Sequence, residues 1–217
     1  AHQLKRLGVE LRLNTFMEAD EITAFGADVT VLATGSFPTE TGFQKAMPHI
    51  EKLPGIEKGS FYSAEDVMAR RAKLGKRVLM LDEGGNWKGC GTALKLAEDG
   101  HEVTLMTPDP LVGKELQRTA ADYPLRQRLG KLGVRFILES GITRWTPGGA
   151  ETLSFLDGKT SFVEADSLVF ATPNRAEDTL ARELEGSGLL IHNIGDSAGP
   201  RQAPFVIYEG RRFGLDI

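Results

Sequence analysis

The residues whose types and spacing could do chemistry gather in one stretch, Asp82-Glu83-Gly84-Gly85-Asn86-Trp87-Lys88-Gly89. Glycines let a backbone turn tightly and come close to a pyrophosphate. A helix starting at such a turn offers that anion free N–H groups and a partial positive charge. Gly84, Gly85 and Gly89 are therefore candidate phosphate-binding residues of an NAD(P)H-type site, and Gly89 also suits close packing of the helix on the preceding strand. The spacing departs from the usual fingerprint. Asp82 stands where the first glycine belongs, and Asp82 to Gly89 takes eight residues, where G-x-G-x-x-G takes about six. The acidic pair Asp82-Glu83 lies where a pyrophosphate would approach. The next strand ends in Met106-Thr107-Pro108, without the acidic residue that holds a ribose or the Arg that accepts a 2′-phosphate. Two readings stay open: an altered turn that binds no nucleotide, and a working NAD(P)H site.

Three smaller candidates lie elsewhere. A strand running into Ala33-Thr34-Gly35-Ser36 makes a turn where the backbone can lie against a ligand, or an ordinary strand end. A second strand closes in Gly195-Asp196, where Gly195 allows close approach and the following helix can direct N–H groups at a phosphate. Asp196 could equally cap that helix. Arg201 reads as a phosphate partner or a solvated surface residue. No catalytic constellation and no metal-ligand spacing is visible. His2, His49, His101 and His192 are scattered, and His192 reads as a packed strand residue. Cys90 reads as a small apolar residue of the helix. Trp87 could stack on a base or plug an empty cleft, and the plug is the favoured reading.

The elements that must position these residues follow from pattern. Arg77–Leu81 is a short apolar run of the buried parallel type. Cys90, Ala93, Leu94 and Ala97 recur at helical spacing, Gly100 ends that helix, and Glu102–Met106 is the next strand. This strand, glycine turn, helix, strand unit is the dinucleotide-binding βαβ pattern. Before it, the pattern predicts a helix end at Ala1–Leu7, a strand at Val9–Leu13, a helix at Ala19–Ala24 and a strand at Ala27–Ala33. Residues 37–60, dense in Pro and Gly, read as a linker. Ser63 is the N-cap of a helix running to about Ala72, with Asp66 completing a capping box. After it come helices at Glu115–Ala121 and Leu125–Leu132 interrupted at Pro124, and a strand at Val134–Leu138. An antiparallel meander follows at Ile142–Thr146, Thr152–Leu156 and Ser161–Val163. The chain then runs through strands at Ser167–Ala171 and Leu189–Ile194 to a last helix near Pro204–Phe213 that turns Val206, Ile207 and Phe213 inward. The segments Ala27–Thr34 and Ala165–Thr172 share the form A-D-x-h-h-h-A-T, which suggests two related domains, one inserted in the other.

Composition bounds the rest. The chain has 217 residues, 41% apolar residues and 25 glycines, which fits an α/β protein with many tight turns. The 26 basic and 30 acidic residues leave a net charge of −4 with no basic stripe, so no nucleic-acid partner is expected. No apolar run approaches the roughly 18 residues of a membrane span, so no membrane partner is expected, and a cytoplasmic location is expected. The single cysteine excludes an intrachain disulfide and an iron–sulfur cluster, which takes about four thiolates.

Taken in order, these motifs carry a resemblance. Leu4–Asn14 (LKRLGVELRLN), the A-T-G of Ala33–Gly35, Gly100–Leu105 (GHEVTL) and Ala121–Leu129 (ADYPLRQRL) are joined by Asp166–Thr172 (DSLVFAT), Ile194–Arg201 (IGDSAGPR) and Tyr208–Gly210 (YEG). The set resembles the two-dinucleotide-domain flavoprotein reductases. Within them it is similar to the C-terminal part of the trimethylamine dehydrogenase, histamine dehydrogenase and 2,4-dienoyl-CoA reductase family. The resemblance implies an α/β fold in which a Rossmann-like three-layer inner domain (61–172) of the NAD(P)-binding type is inserted in an incomplete outer FAD/ADP-type domain (1–60 and 173–217). It implies FAD or ADP in the outer site, with Thr34, Gly35, Gly195, Asp196 and Arg201 as cofactor-binding residues and Asp196 on the ribityl or ribose–phosphate region. It implies NAD(P)H in the inner site only for the reductase branch. FMN and an iron–sulfur cluster are expected only in N-terminal parts that this chain lacks. The expected whole is a flavin-dependent oxidoreductase, homo-oligomeric, of which this chain is a fragment without activity alone. The lengthened acidic turn resembles the amine branch, which passes electrons to a separate electron-transfer flavoprotein. An NAD(P)H-binding reductase module is the alternative.

Overall fold

A computed structural model describes residues 2–217. In chain order the elements are α1 (His2–Arg6), α2 (Ala19–Phe25), β1 (Thr30–Leu32), β2 (Ser36–Phe37), β3 (Phe61–Ser63), α3 (Ala64–Met68), β4 (Arg77–Asp82) and α4 (Trp87–Glu98). They continue with β5 (Glu102–Met106), α5 (Asp122–Lys131), β6 (Arg135–Ile137), β7 (Ser140–Thr146), β8 (Gly149–Ser154), β9 (Thr160–Glu164) and β10 (Ser167–Ala171). The chain closes with β11 (Arg175–Ala176), α6 (Thr179–Glu183), β12 (Ile191–Asn193) and α7 (Ala203–Asp216). It divides into two compact units, residues 1–36 with 176–217 and residues 37–175.

The 37–175 unit is built on a parallel sheet of order β3-β10-β4-β5-β6. Its central strands read as continuous apolar runs because both faces are covered. Successive side chains alternate between those faces. Val78 and Met80 of β4 join Cys90, Ala93 and Leu96 of α4 and Leu125 and Leu129 of α5. Leu79 and Leu81 join Leu168 and Phe170 of β10 and Ile142, Trp145, Ala150 and Val163 of the meander. Helices, parallel sheet and the antiparallel β7-β8-β9 layer thus make the expected three layers. Ser63 caps α3 as expected: its hydroxyl accepts from Asp66 N at 3.0 Å, and the Asp66 carboxylate accepts from Ser63 N at 3.1 Å.

Several expected boundaries move. Residues 37–60, read as a linker on the outer side, pack in the inner unit: Met47 and Leu53 are buried, and Leu53 and Ile56 join the core on the meander side of the sheet. Helix α3 stops at Met68. The stretch Glu115–Ala121 forms a 3-10 helix, Lys114–Thr119. Pro124 falls in the first turn of α5, where its missing N–H has no intrahelical partner to lose, so it interrupts nothing. In the outer unit, β1 pairs β12 in parallel with Val31 opposite His192, and the His192 ring lies 4.7 Å from that of Phe213. Ile207, expected inside, is exposed. Val9–Leu13 forms no strand. Its alternation suits one, but a strand needs a partner for its ladder, and among the described residues none pairs with this stretch. The expected first helix is described from His2, and Ala1 lies outside the described residues.

Candidate functional site

The chain order of the inner sheet reverses between β4 and β10, the place where open α/β sheets hold ligands outside the carboxyl ends of their strands. Strand β4 delivers Asp82 to that end, in register with Ala171. Asn86 caps α4, its side chain accepting from Lys88 N at 2.9 Å. Between strand and helix, the N–H groups of Gly84 and Gly85 both donate to one oxygen of Asp82, at 2.9 and 3.0 Å. The other oxygen lies 3.5 Å from Cys90 Sγ. Gly89 sits in the first turn of α4, where a Cβ would stand 2.2 Å from Asp82 Cγ. Gly89 therefore lets the helix come close, as its position predicts, and the group it comes close to is the Asp82 carboxylate.

That carboxyl is 1% exposed. Burial pushes its pKa up to about 6, the two glycine amides and the thiol pull it back, and the charge of Asp109 adds to the rise. Burial and then the neighbouring Asp82 push the Cys90 thiol well above its ordinary range, so Cys90 is an inert, packed residue.

The acidic pair does not act together. Glu83 turns away from the helix and accepts from Lys45 N at 2.9 Å and Ala46 N at 3.0 Å, while Lys45 Nζ donates to its carbonyl at 2.6 Å. Burial raises its pKa first, and these amides oppose the rise. Lys88 reaches from α4 to the end of β10, donating to Asn174 Oδ1 at 2.7 Å and Thr172 O at 3.2 Å and pairing with Glu65 at 2.8 Å. The glycine turn is backed by the segment after β5: Gly85 O accepts from Glu115 N at 2.9 Å, and Lys114 Nζ pairs with Asp109 at 2.9 Å. Trp87 is 57% exposed on the surface of α4, so it plugs no cleft. Residues 82–89 as they stand do not fit a dinucleotide pyrophosphate, because a carboxylate already holds the two convergent amides.

In the outer unit β1 and β12 end side by side, and the turns after them carry the remaining candidates. Gly35 has φ +88° and open space where a Cβ would be, and Gly195 has φ +68°. Thr34 Oγ1 donates to Glu177 O at 2.6 Å. Asp196 accepts from Ser36 Oγ at 3.0 Å and from Arg201 N at 3.3 Å. It does not cap α7, whose N-cap is Gln202. The Arg201 guanidinium donates to Glu209 at 2.5 Å and to Gly195 O at 3.3 Å, and Glu209 also accepts from Gly195 N at 2.6 Å. Thr34, Gly35, Gly195, Asp196 and Arg201 are thus brought together. Ser36 and Glu209 were not singled out as site residues from the sequence, although Ser36 closes the Ala33–Ser36 turn. Glu209 stood inside the Tyr208–Gly210 motif, but its meeting with Gly195 depends on the direction of α7. Gly35 is open to approach, and each oxygen of Asp196 carries one contact, which leaves the carboxylate able to accept from a further hydroxyl. Among the described residues no group of His, Cys, Asp and Glu could hold a metal ion, and no helix is long and apolar enough to cross a membrane.

The family described as pyridine nucleotide-disulphide oxidoreductase matches residues 2–196. The chain is 33% identical to cinnamate reductase of Clostridium sporogenes over 99% of its own length and 30% of that protein. It is 28% identical to dimethylamine dehydrogenase of Hyphomicrobium sp. over 93% of its length and 31% of that protein. The solved 6-hydroxypseudooxynicotine amine oxidase of Pseudomonas geniculata N1 superposes with a TM-score of 0.88 at 25% identity, over 95% of this chain and 31% of that one. The chain spans about 30% of the length of these relatives. It belongs to the pyridine nucleotide-disulphide oxidoreductase family.

Proposed function

We propose, from that membership, that the chain is the nucleotide-binding module of a flavin-dependent oxidoreductase of the amine-dehydrogenase type. It holds FAD or ADP in the outer unit and carries no chemistry of its own. The observation that carries this reading is the buried Asp82 carboxylate on the amides of Gly84 and Gly85. With that place taken by the chain's own anion, the strand ends of the outer unit are the nucleotide place that remains.

There, Thr34 and Gly35 would lie against the nucleotide, and Asp196 would accept from a ribose or ribityl hydroxyl. Arg201 would act with Glu209 to hold the Gly195 turn in position. A bound flavin supplies electron transfer, and the chain's part is to bind and orient. In the longer protein, FMN, an iron–sulfur cluster and the substrate belong to other parts. An electron-transfer flavoprotein is the partner, and the whole is a cytoplasmic homo-oligomer.

A thermal-shift panel with ADP, FAD, NADH and NADPH tests this. At about 100 times its dissociation constant a ligand stabilises by roughly 2.7 kcal/mol. A shift with ADP or FAD alone is expected. A shift with NADH or NADPH alone would establish the second reading, an NAD(P)H-using reductase module, which the 33% identity to a reductase over nearly the whole chain favours.

A further inference from the structure

We infer that Asp82 is a built-in anion: its carboxylate takes up the glycine-turn amides that a dinucleotide's pyrophosphate would use, and so keeps that pyrophosphate out of the turn. This deepens the proposed reading and rests on it for the inner unit alone.

Four observations carry it. The two amides that converge on one Asp82 oxygen lie two and three residues further along, in the glycine turn between β4 and α4, and backbone N–H groups of such turns are the donors that otherwise hold a phosphoryl oxygen. Gly89 has no Cβ where the carboxylate lies, so the first turn of α4 closes directly over Asp82. The helix does not need Asp82 as a cap, because Asn86 supplies that. Among the described residues Asp82 has no cation as partner: it meets N–H groups and the Cys90 thiol, while Lys88 of the same helix is committed to Glu65, Asn174 and Thr172. A buried charge answered only by backbone dipoles is the electrostatic condition of a phosphate in a glycine turn, and it is an expensive way to fill space that an apolar side chain could fill.

The test uses inorganic pyrophosphate, which carries the group in question and asks for little room beside the turn, where Lys114 stands 3.3 Å from the place of a Gly85 Cβ. Acetate, the group excised by truncation, is the second probe. Wild type, Asp82→Gly and Asp82→Asn are titrated calorimetrically at pH 8 and matched ionic strength. Asp82→Gly is expected to bind pyrophosphate at least tenfold more tightly than wild type, about 1.4 kcal/mol. Asp82→Asn, in which the place stays filled, is expected not to gain. Wild type binding as tightly as Asp82→Gly would overturn the inference. So would a folded Asp82→Gly that responds to neither probe. If Asp82→Gly does not fold, Asp82→Ser, which retains an acceptor for the turn, replaces it under the same criteria. Failure of both to fold with acetate present also overturns it. The ADP response is read alongside. Its absence from every variant would sink the outer-site reading and leave this one standing.

Discussion

Replacing Asp82 by asparagine removes a charge and leaves the shape of the side chain nearly unchanged. The asparagine carbonyl can accept from Gly84 and Gly85 as the carboxylate does, and its amide can face Cys90 Sγ. What changes is titration. Burial raises the Asp82 carboxyl from its ordinary 3.8 to about 6, and the facing charge of Asp109 adds to the rise. A group whose folded pKa lies above its unfolded one contributes its full stability below the unfolded value and loses it as pH climbs to the folded value. The loss here runs from about pH 4 to about pH 6. A shift of about two units at about 1.4 kcal/mol per unit makes it about 3 kcal/mol. Urea unfolding of wild type and Asp82→Asn across pH 4 to 8 reads it directly. The stability advantage of the variant should grow by about 3 kcal/mol between pH 4 and 7 and then level. Other titrating groups, Glu83 among them, are common to both proteins and cancel. A difference that stays flat with pH, or shrinks as pH rises, would refute the burial argument.

Four further outcomes follow from the same geometry. Gly89→Ala puts a Cβ 2.2 Å from Asp82 Cγ and should destabilise by about 1–3 kcal/mol; made in an Asp82→Gly background it should cost far less, giving a double-mutant coupling of about 1 kcal/mol or more in denaturant melts. Gly55→Ala combines φ +86° with a Cβ 1.9 Å from Trp145 O, so backbone strain and overlap together should remove several kcal/mol and leave the protein insoluble on expression. Ser63→Ala breaks the capping box of α3 and should lower stability by about 1 kcal/mol by calorimetry. Asp196→Ala should weaken ADP binding at least tenfold, about 1.4 kcal/mol, with the melt of the protein without ligand little changed.

Much of the inner unit was legible in the residue order because its determinants are local. The apolar run of β4, the period of α4 and the Ser63-to-Asp66 spacing each state their own conformation through neighbouring sterics and burial. The departure of Asp82–Gly89 from the glycine fingerprint was visible too, though not that Asp82 itself accepts from Gly84 and Gly85. The resemblance carried by the scattered motifs identified the family, whose match spans residues 2–196. What the order of residues left open was which way each acidic side chain turns. Asp82 points under the helix, and Glu83, its neighbour, points to Lys45 and Ala46, 38 and 37 positions away. Alternation along a strand sends adjacent side chains to opposite sides, but what waits on each side is chosen by chain distant in sequence. The same holds for the Pro- and Gly-rich 37–60 segment, whose breakers read as a linker until Leu53 and Ile56 meet the sheet, and for Glu209, which meets Gly195 through α7. Val9–Leu13 shows the converse: its pattern is that of a strand, yet a strand exists only where a second backbone completes its hydrogen bonds. Local sterics and periodicity are written in the sequence, whereas the partners that satisfy a buried charge or a strand edge are set by tertiary packing.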